Sequence, residues 1–347
     1  MKIVFMGTPD FARSALEKII EAGHEVVLVV TQPDKPKGRS GELQVSDVKA
    51  CALEHGLPVF QPVRIKLPEN VAELKKYDAD IYVVAAFGQI LSQEILDIPR
   101  FGCVNIHASL LPKYRGAAPI QQSIIDGEKE TGVTIMQMAA GMDTGDILIQ
   151  KTIPIDDDET GGGLFDKLSV LGAELIVEAL PMIERGELTP VPQDESKATK
   201  CGKLSKDMGL IDFEKDAVSI RNLVRGLNPW PSAYTYLDGK MLKIWDVKVV
   251  EENGISTEYP GGSRVEEKVL DGDNGVTGAQ VDGAENRATV AFPENGMIVA
   301  VSKDSFTVKA GDGFLEVLEL QLEGKKRMKT KDFLLGYKLM PGSKLGK

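Results

Sequence analysis

The run Asp80-Ile-Tyr-Val-Val-Ala-Ala-Phe87-Gly88 narrows the folds open to this chain more than any other stretch. It is apolar without alternation. A strand with one wet face alternates apolar and polar residues; a strand covered on both faces has no need to. Such strands belong to parallel sheets sandwiched between helices. Lys2 to Met6 reads as another short buried strand, Gly7 as a tight turn, Phe11 to Ala22 as a helix closed by Gly23, and Glu25 to Thr31 as the next strand. Helices are expected over Val48–Glu54, Asn70–Lys76, Gln89–Leu96 and Thr160–Arg185, and strands over Pro58–Phe60, Thr131–Met138 and Ile147–Ile153. This alternation over about 185 residues predicts an α/β fold, a doubly wound, Rossmann-like and mostly parallel sheet. The first βα turn lacks the full Gly-x-Gly-x-x-Gly fingerprint, which argues against a dinucleotide site.

The chemistry concentrates in Cys103-Val-Asn-Ile-His-Ala-Ser-Leu-Leu-Pro-Lys-Tyr-Arg-Gly-Ala-Ala-Pro-Ile120. Asn105 and His107 lie two apart in a predicted strand, so their side chains share a face. Pro112 cannot continue a ladder, because it lacks the donor. A helix is expected from Ala117, with Pro119 in its first turn. An amide and an imidazole at the C-terminal end of a parallel strand stand in the usual ligand crevice of an open α/β sheet. Asn offers a neutral N–H to a developing oxyanion, and His a proton near neutral pH. No serine or cysteine nucleophile is needed where the substrate brings its own, such as an amine. The carboxylate missing from the set is expected from Asp143, on the glycine-bounded loop Gly141-Met-Asp-Thr-Gly145; Asp146 is expected to be structural. No grouping of His, Cys and Asp has metal spacing, so no metal is expected.

The chain has 347 residues, enough for two domains. Hydrophobic residues make up 42% and charged residues 27%, the balance of a globular protein, and no apolar run is long enough to span a bilayer. The chain opens directly on a strand, so no signal or transit peptide is expected. Three scattered cysteines, Cys51, Cys103 and Cys201, point to a reduced, cytoplasmic setting. The net charge of −11 works against a nucleic-acid partner on average, although binding depends on where the positive charge sits. Residues 1–188 are expected to form the catalytic domain, and 189–205, rich in Pro and polar residues, a linker. Residues 206–347 are expected to form a small barrel of short strands with Gly turns. Within it, 251–286 reads as an acidic insertion, and Lys325-Lys-Arg-Met-Lys329 as a basic cluster.

Asn105-x-His107, Ser109-Leu-Leu-Pro112 and Asp143 together resemble the folate-dependent formyltransferases. Gly7-Thr-Pro-Asp-Phe-Ala12, Arg115-Gly-Ala-Ala-Pro119, Thr131-Gly-Val-Thr-Ile-Met-Gln-Met138 and Asn228-Pro-Trp-Pro231 narrow the resemblance to the branch that acts on methionyl-tRNA. The insertion at 251–286 is longer than that family's usual connection. The resemblance implies a 10-formyltetrahydrofolate donor, methionyl initiator tRNA as acceptor, and a C-terminal domain like an oligonucleotide-binding barrel. It makes Ser109, Leu110, Leu111 and Pro112 part of the folate pocket, with Leu111–Pro112 a candidate cis bond. Phe87, Gly88 and Ile90 are added as lining, since a flat heteroaromatic wants apolar walls and few polar contacts. It places Arg39, in the Pro- and Lys-rich loop Gln32–Ser46, against the aminoacyl acceptor end, and Lys325, Lys326 and Arg327 against phosphates. Asn105 and His107 would stabilise the oxyanion, His107 would protonate the leaving nitrogen, and Asp143 would orient His107 and accept the amine's proton. An amino-sugar nucleotide formyltransferase shares the same half-site and is the alternative. A monomer is expected.

Overall fold

The computed structural model describes residues 1–37, 42–250 and 293–346. Arg39 and the insertion at 251–286 lie outside the described residues. The chain divides into two units: Met1–Gly209 with Arg225–Pro231, and Leu210–Val224 with Ser232–Lys347.

In the first unit the strands are β1 Lys2–Gly7, β2 Glu25–Val30, β3 Lys35–Lys37, β4 Glu42–Gln44, β5 Val59–Phe60, β6 Ile81–Ala85, β7 Cys103–His107, β8 Arg115–Gly116, β9 Glu130–Gln137, β10 Ile147–Pro154 and β11 Lys200–Cys201. The helices are α1 Asp10–Glu21, α2 Asp47–Glu54, α3 Pro68–Leu74, α4 Gln93–Leu96, α5 Pro119–Ile125 and α6 Gly161–Glu184. The main sheet runs β10-β9-β7-β6-β1-β2-β5. Its strands β5, β2, β1, β6 and β7 are parallel, and β9 and β10 close one edge antiparallel. Two short ribbons, antiparallel β3–β4 and parallel β8–β11, stand apart from it.

The unbroken apolar strands are explained by cover on both faces. Phe5, Val83, Val104, Ile106 and Val133 pack into one cluster with Phe11 and Leu16 of α1 and Leu168 and Leu175 of α6. Val4, Met6, Tyr82, Val84 and Cys103 pack into another with Val71 and Leu74 of α3 and Ile95 of α4. Helix α6 starts where the Thr160 hydroxyl accepts the Gly163 N–H at 3.1 Å, an N-cap. It lies hard against β7: a Cβ at Gly172 would come within 2.8 Å of Ile106 Cγ2. Buried thiols follow from the same cover; burial pushes Cys103 up to about 12 and Cys51 up to about 11.

Two expected helices start elsewhere. The helix expected at Asn70–Lys76 begins at Pro68, whose missing N–H costs nothing in a first turn. The one expected over Gln89–Leu96 is only Gln93–Leu96. The Gln89 amide accepts the Ile65 N–H at 2.7 Å and donates to the Pro62 carbonyl at 2.9 Å, which draws the preceding residues into a loop. Residues 189–205, expected as a linker, fall within the first unit, carry a 3-10 turn at Glu195–Lys197 and supply β11.

The second unit holds β12 Ala233–Leu237, β13 Lys240–Val250, β14 Ile298–Val301, β15 Phe306–Lys309, β16 Phe314–Leu322, β17 Met328–Lys329 and α8 Thr330–Gly336; helix α7, Ala217–Gly226, begins in it. The sheet is antiparallel, ordered β12-β13-β16-β15-β14, with β17 added to β16. The β12–β13 hairpin turns at Asp238-Gly239, both with positive φ, as a tight two-residue turn demands. Leu242, Ile244, Phe306, Val308, Leu315 and Val317 form the core.

Ile106 is buried on the face of β7 opposite Asn105 and His107. Ile106→Ala is expected to cost about 2–5 kcal/mol, the usual range for an emptied core position. Urea unfolding followed by fluorescence measures it.

Candidate active site

Along β7, Cys103, Asn105 and His107 point to one face. Cys103 is buried in the core cluster; Asn105, further along, is half-exposed, and its amide makes no hydrogen bond among the described residues. The neighbouring ends of β1 and β6 form the switch point of the sheet, since β2 and β5 continue to one side and β7 to the other. There the Thr8 hydroxyl and the Gln32 amide both donate to the Phe87 carbonyl at 3.1 Å.

His107 is buried, and its two ring nitrogens have different surroundings. Nε2 lies 2.9 Å from the Tyr114 carbonyl, which can only accept, so Nε2 carries hydrogen. Nδ1 lies 3.8 Å from Asp143 Oδ1, too far for a hydrogen bond. The Tyr114 carbonyl therefore fixes the ring, and Asp143 faces the other nitrogen. Tyr114 holds a left-handed backbone, φ 62. Its N–H donates to Thr199 Oγ1 at 2.8 Å and its hydroxyl to Glu128 Oε1 at 2.9 Å. Burial first, then Glu128, push the Tyr114 phenol up. Burial works to raise Glu128, but hydrogen bonds from Lys113 and Tyr114 outweigh it and hold that carboxyl below its ordinary range.

The Asp143 carboxylate is held from its other oxygen, where Oδ2 accepts the Gly116 N–H at 2.9 Å. Asp143 also sits at positive φ, 53, as does Ala86 at the end of β6. Non-glycine residues in this region are uncommon; Tyr114 and Asp143 stand against the two nitrogens of His107, and Ala86 follows the neighbouring strand β6. Gly116, at φ 124, runs so close to β11 that a Cβ would meet the Cys201 carbonyl oxygen at 2.1 Å.

The turn after β7 is pinned by its own polar groups. Thr134 Oγ1 donates to the Ser109 carbonyl at 2.7 Å and accepts the Leu111 N–H at 3.1 Å. Gln150 donates to the Leu111 carbonyl at 2.9 Å, and Ser109 Oγ to the Lys113 carbonyl at 2.6 Å. Leu111–Pro112 is cis. Leu111 is buried, whereas Leu110 and Pro112 are half-exposed. Of the other expected lining residues, Gly88 is exposed and Ile90 is 76% exposed, but the Phe87 ring is buried in the core. Phe87 is buried as a whole residue, and its carbonyl is taken by Thr8 and Gln32. In the second unit, Lys325 and Lys326 are exposed, while Arg327 is paired through two bonds with Glu319 and lies 4.5 Å over the Trp245 ring.

Among the described residues no group of His, Cys, Asp and Glu is placed to hold a metal ion, and no helix is long and apolar enough to cross a membrane. The sequence model of the formyl transferases matches residues 1–180, and that of the formyl transferase C-terminal domain residues 203–338. A methionyl-tRNA formyltransferase of Agathobacter rectalis is 50% identical over 343 residues, 99% of either chain. The chain belongs to the formyl transferase family, among the methionyl-tRNA formyltransferases. The Citrifermentans bemidjiense member is 46% identical, covering 100% of this chain and 97% of its own. The formyl transferase fold also appears in more distant structures. An N-formyltransferase of Helicobacter canadensis, solved with folinic acid and dTDP-3-aminofucose, superposes with TM-score 0.60 at 18% identity, over 91% of this chain and 98% of that one. HypX from Aquifex aeolicus with tetrahydrofolic acid superposes with TM-score 0.58 at 18% identity, over 97% of this chain but 47% of that longer one.

Sequence reasoning missed Tyr114, Gly116, Gln193, Thr199 and Cys201 as parts of the site. Arg115-Gly116 stands within a family motif, and its glycine is the available signal; residues 193–201 carry no periodicity. Gly116→Ala is expected to displace β8 and lower turnover by at least about 10²-fold, the scale of an ångström's misplacement. It should also open the buried Cys201 thiol to an aromatic disulfide reagent that leaves the parent's three cysteines untouched. Turnover and thiol titration on the folded variant check both.

Proposed function

We propose that Asn105, His107 and Asp143 carry this family's reaction in the present chain: transfer of the formyl group of 10-formyltetrahydrofolate to the α-amine of methionine on initiator tRNA. The observation that supports it most is the approach of Asp143 Oδ1 to His107 Nδ1, 3.8 Å, at the end of the strand that also carries the unclaimed Asn105 amide. When bound, the folate donor supplies an activated formyl carbonyl. Asn105 offers its N–H where negative charge gathers on that oxygen. His107 keeps Nε2 on Tyr114 and acts through Nδ1. For Nδ1 to hold a transferable proton the ring is the imidazolium, with the Asp143 carboxylate as counter-charge. Asp143 Oδ1 takes the proton of the attacking amine, directly or through water, while Oδ2 stays on Gly116. As the amine nitrogen keeps the formyl carbon as an amide, the bond from that carbon to the folate nitrogen breaks, and His107 Nδ1 gives its proton to the departing folate nitrogen.

The residues suit a flat ligand with a polar edge. Ile90 and Leu110 offer apolar surface, Gly88 leaves main chain uncovered, and Asn105 leaves an amide free among the described residues. The turn Ser109–Pro112 is rigid enough to hold such a ligand, since its main-chain groups are tied to Thr134 and Gln150. In the second unit Lys325 and Lys326 are bare for phosphates, and Arg327 shares its charge with Glu319. Arg39 is assigned to the acceptor end on the sequence alone. The chain acts as a monomer in the cytoplasm.

Incubation with labelled formyl donor and two acceptors tests the reading. Label is expected in charged initiator tRNA; label in an amino-sugar nucleotide instead would overturn it. Asn105→Ala should lower single-turnover rates by about 10²–10³, as losing an oxyanion donor does. Filter binding of tRNA should weaken steeply from low to moderate salt. The dependence should be shallower once Lys325 and Lys326 are replaced by alanine, because fewer phosphates are then neutralised and fewer counterions released.

A further inference from the structure

The Asp143 loop is mostly exposed; residues 139–142 bury little, so packing alone does not hold it. Yet Asp143 keeps a left-handed backbone there. Gln193 supplies what packing does not. Its Nε2 donates to the carbonyls of Asp143 at 2.8 Å and Gly145 at 2.7 Å. Its Oε1 accepts from Arg115 Nε at 2.9 Å. The Arg115 side chain is 3% exposed, and its remaining nitrogens grip both oxygens of Glu195. The amide cannot turn over, because Oε1 would then meet two carbonyl oxygens. Next in chain to Arg115 is Gly116, whose N–H holds the Asp143 carboxylate. Both the main chain and the side chain of Asp143 are thus referred to one short strand, β8, which also follows the Tyr114 carbonyl that fixes His107.

We propose that Gln193 is a positioning residue for the formyl transfer: it bridges Arg115 to the Asp143 loop and so sets Asp143 Oδ1 against His107 Nδ1. The proposal rests on Asp143 being catalytic. Gln193 touches no reacting atom; it acts through the loop. The isosteric Gln193→Glu keeps an acceptor for Arg115 but places oxygen against both carbonyls, and Gln193→Ala removes all three bonds.

The test compares both variants in the parent and in an Asp143→Asn background, measuring kcat, the KM for each substrate, and thermal unfolding. With Asp143 intact, kcat is expected to fall about 10- to 100-fold, the scale of a displaced catalytic group, with each KM within about threefold. In the Asp143→Asn background the same changes should leave kcat nearly unaltered, since there is no carboxylate left to position. Effects that multiply in the two backgrounds, a loss confined to KM, or parent-like kcat in both variants would overturn the proposal. Failure of both variants to fold would do so too, by making Gln193 a residue of stability instead of placement. If Asp143→Asn alone turns over at the parent rate, the catalytic reading fails first, which separates the two failures.

Discussion

The site depends on one hydrogen bond, from His107 Nε2 to the carbonyl of Tyr114 seven residues on. A buried imidazole has two nitrogens to satisfy, and an unsatisfied one is costly. By giving Nε2 to a main-chain acceptor, the fold leaves Nδ1 as the nitrogen without a hydrogen bond among the described residues and settles which edge of the ring faces Asp143. That acceptor is in place only because Tyr114 adopts a left-handed backbone, with its N–H on Thr199 and its hydroxyl on Glu128. The turn from Ser109 to Gly116 is therefore the frame of the site, and its rigidity comes from side chains on β9, β10 and the stretch 193–201.

The elements whose cause is local are legible in the sequence. Apolar runs without alternation mark β1 and β6 as strands covered on both faces, and the two-residue spacing of Asn105 and His107 in β7 puts them on one face. The Asp238-Gly239 hairpin and the range of β16 can be read from turn chemistry and alternation. Where a distant partner decides, local pattern misleads. Nothing near Gln89 shows that its amide will bond Ile65 and Pro62, so the pattern predicts a helix where a loop forms. Phe87 looks like lining because it ends a strand at the crevice, but its ring turns into the core and its carbonyl is held by Thr8 and Gln32.

The stretch 189–205 shows the same limit more sharply. Prolines, polar residues and no period are what a connector looks like. They are also what a segment looks like whose partners are all reached by hydrogen bonds to one irregular turn. The bonds from Gln193, the Thr199 hydroxyl and the β8–β11 pairing share no repeat that a sequence window detects. Strands and helices announce themselves by periodic burial; a strap of this kind buries little and repeats nothing.

Asp143 makes the consequence concrete. In the reaction proposed above Asp143 takes a proton, which needs one oxygen free and a fixed direction, and these demands conflict on an exposed loop. The structure resolves the conflict by dividing the residue: Oδ2 is committed to the Gly116 N–H, the carbonyl to Gln193, and Oδ1 is left facing His107. Since Gly116 and Tyr114 are two residues apart, the groups that direct Asp143 and His107 share one piece of backbone, and any movement of it shifts both together. The distance between imidazole and carboxylate is therefore better protected than the position of either, and that distance is what the proposed reaction requires.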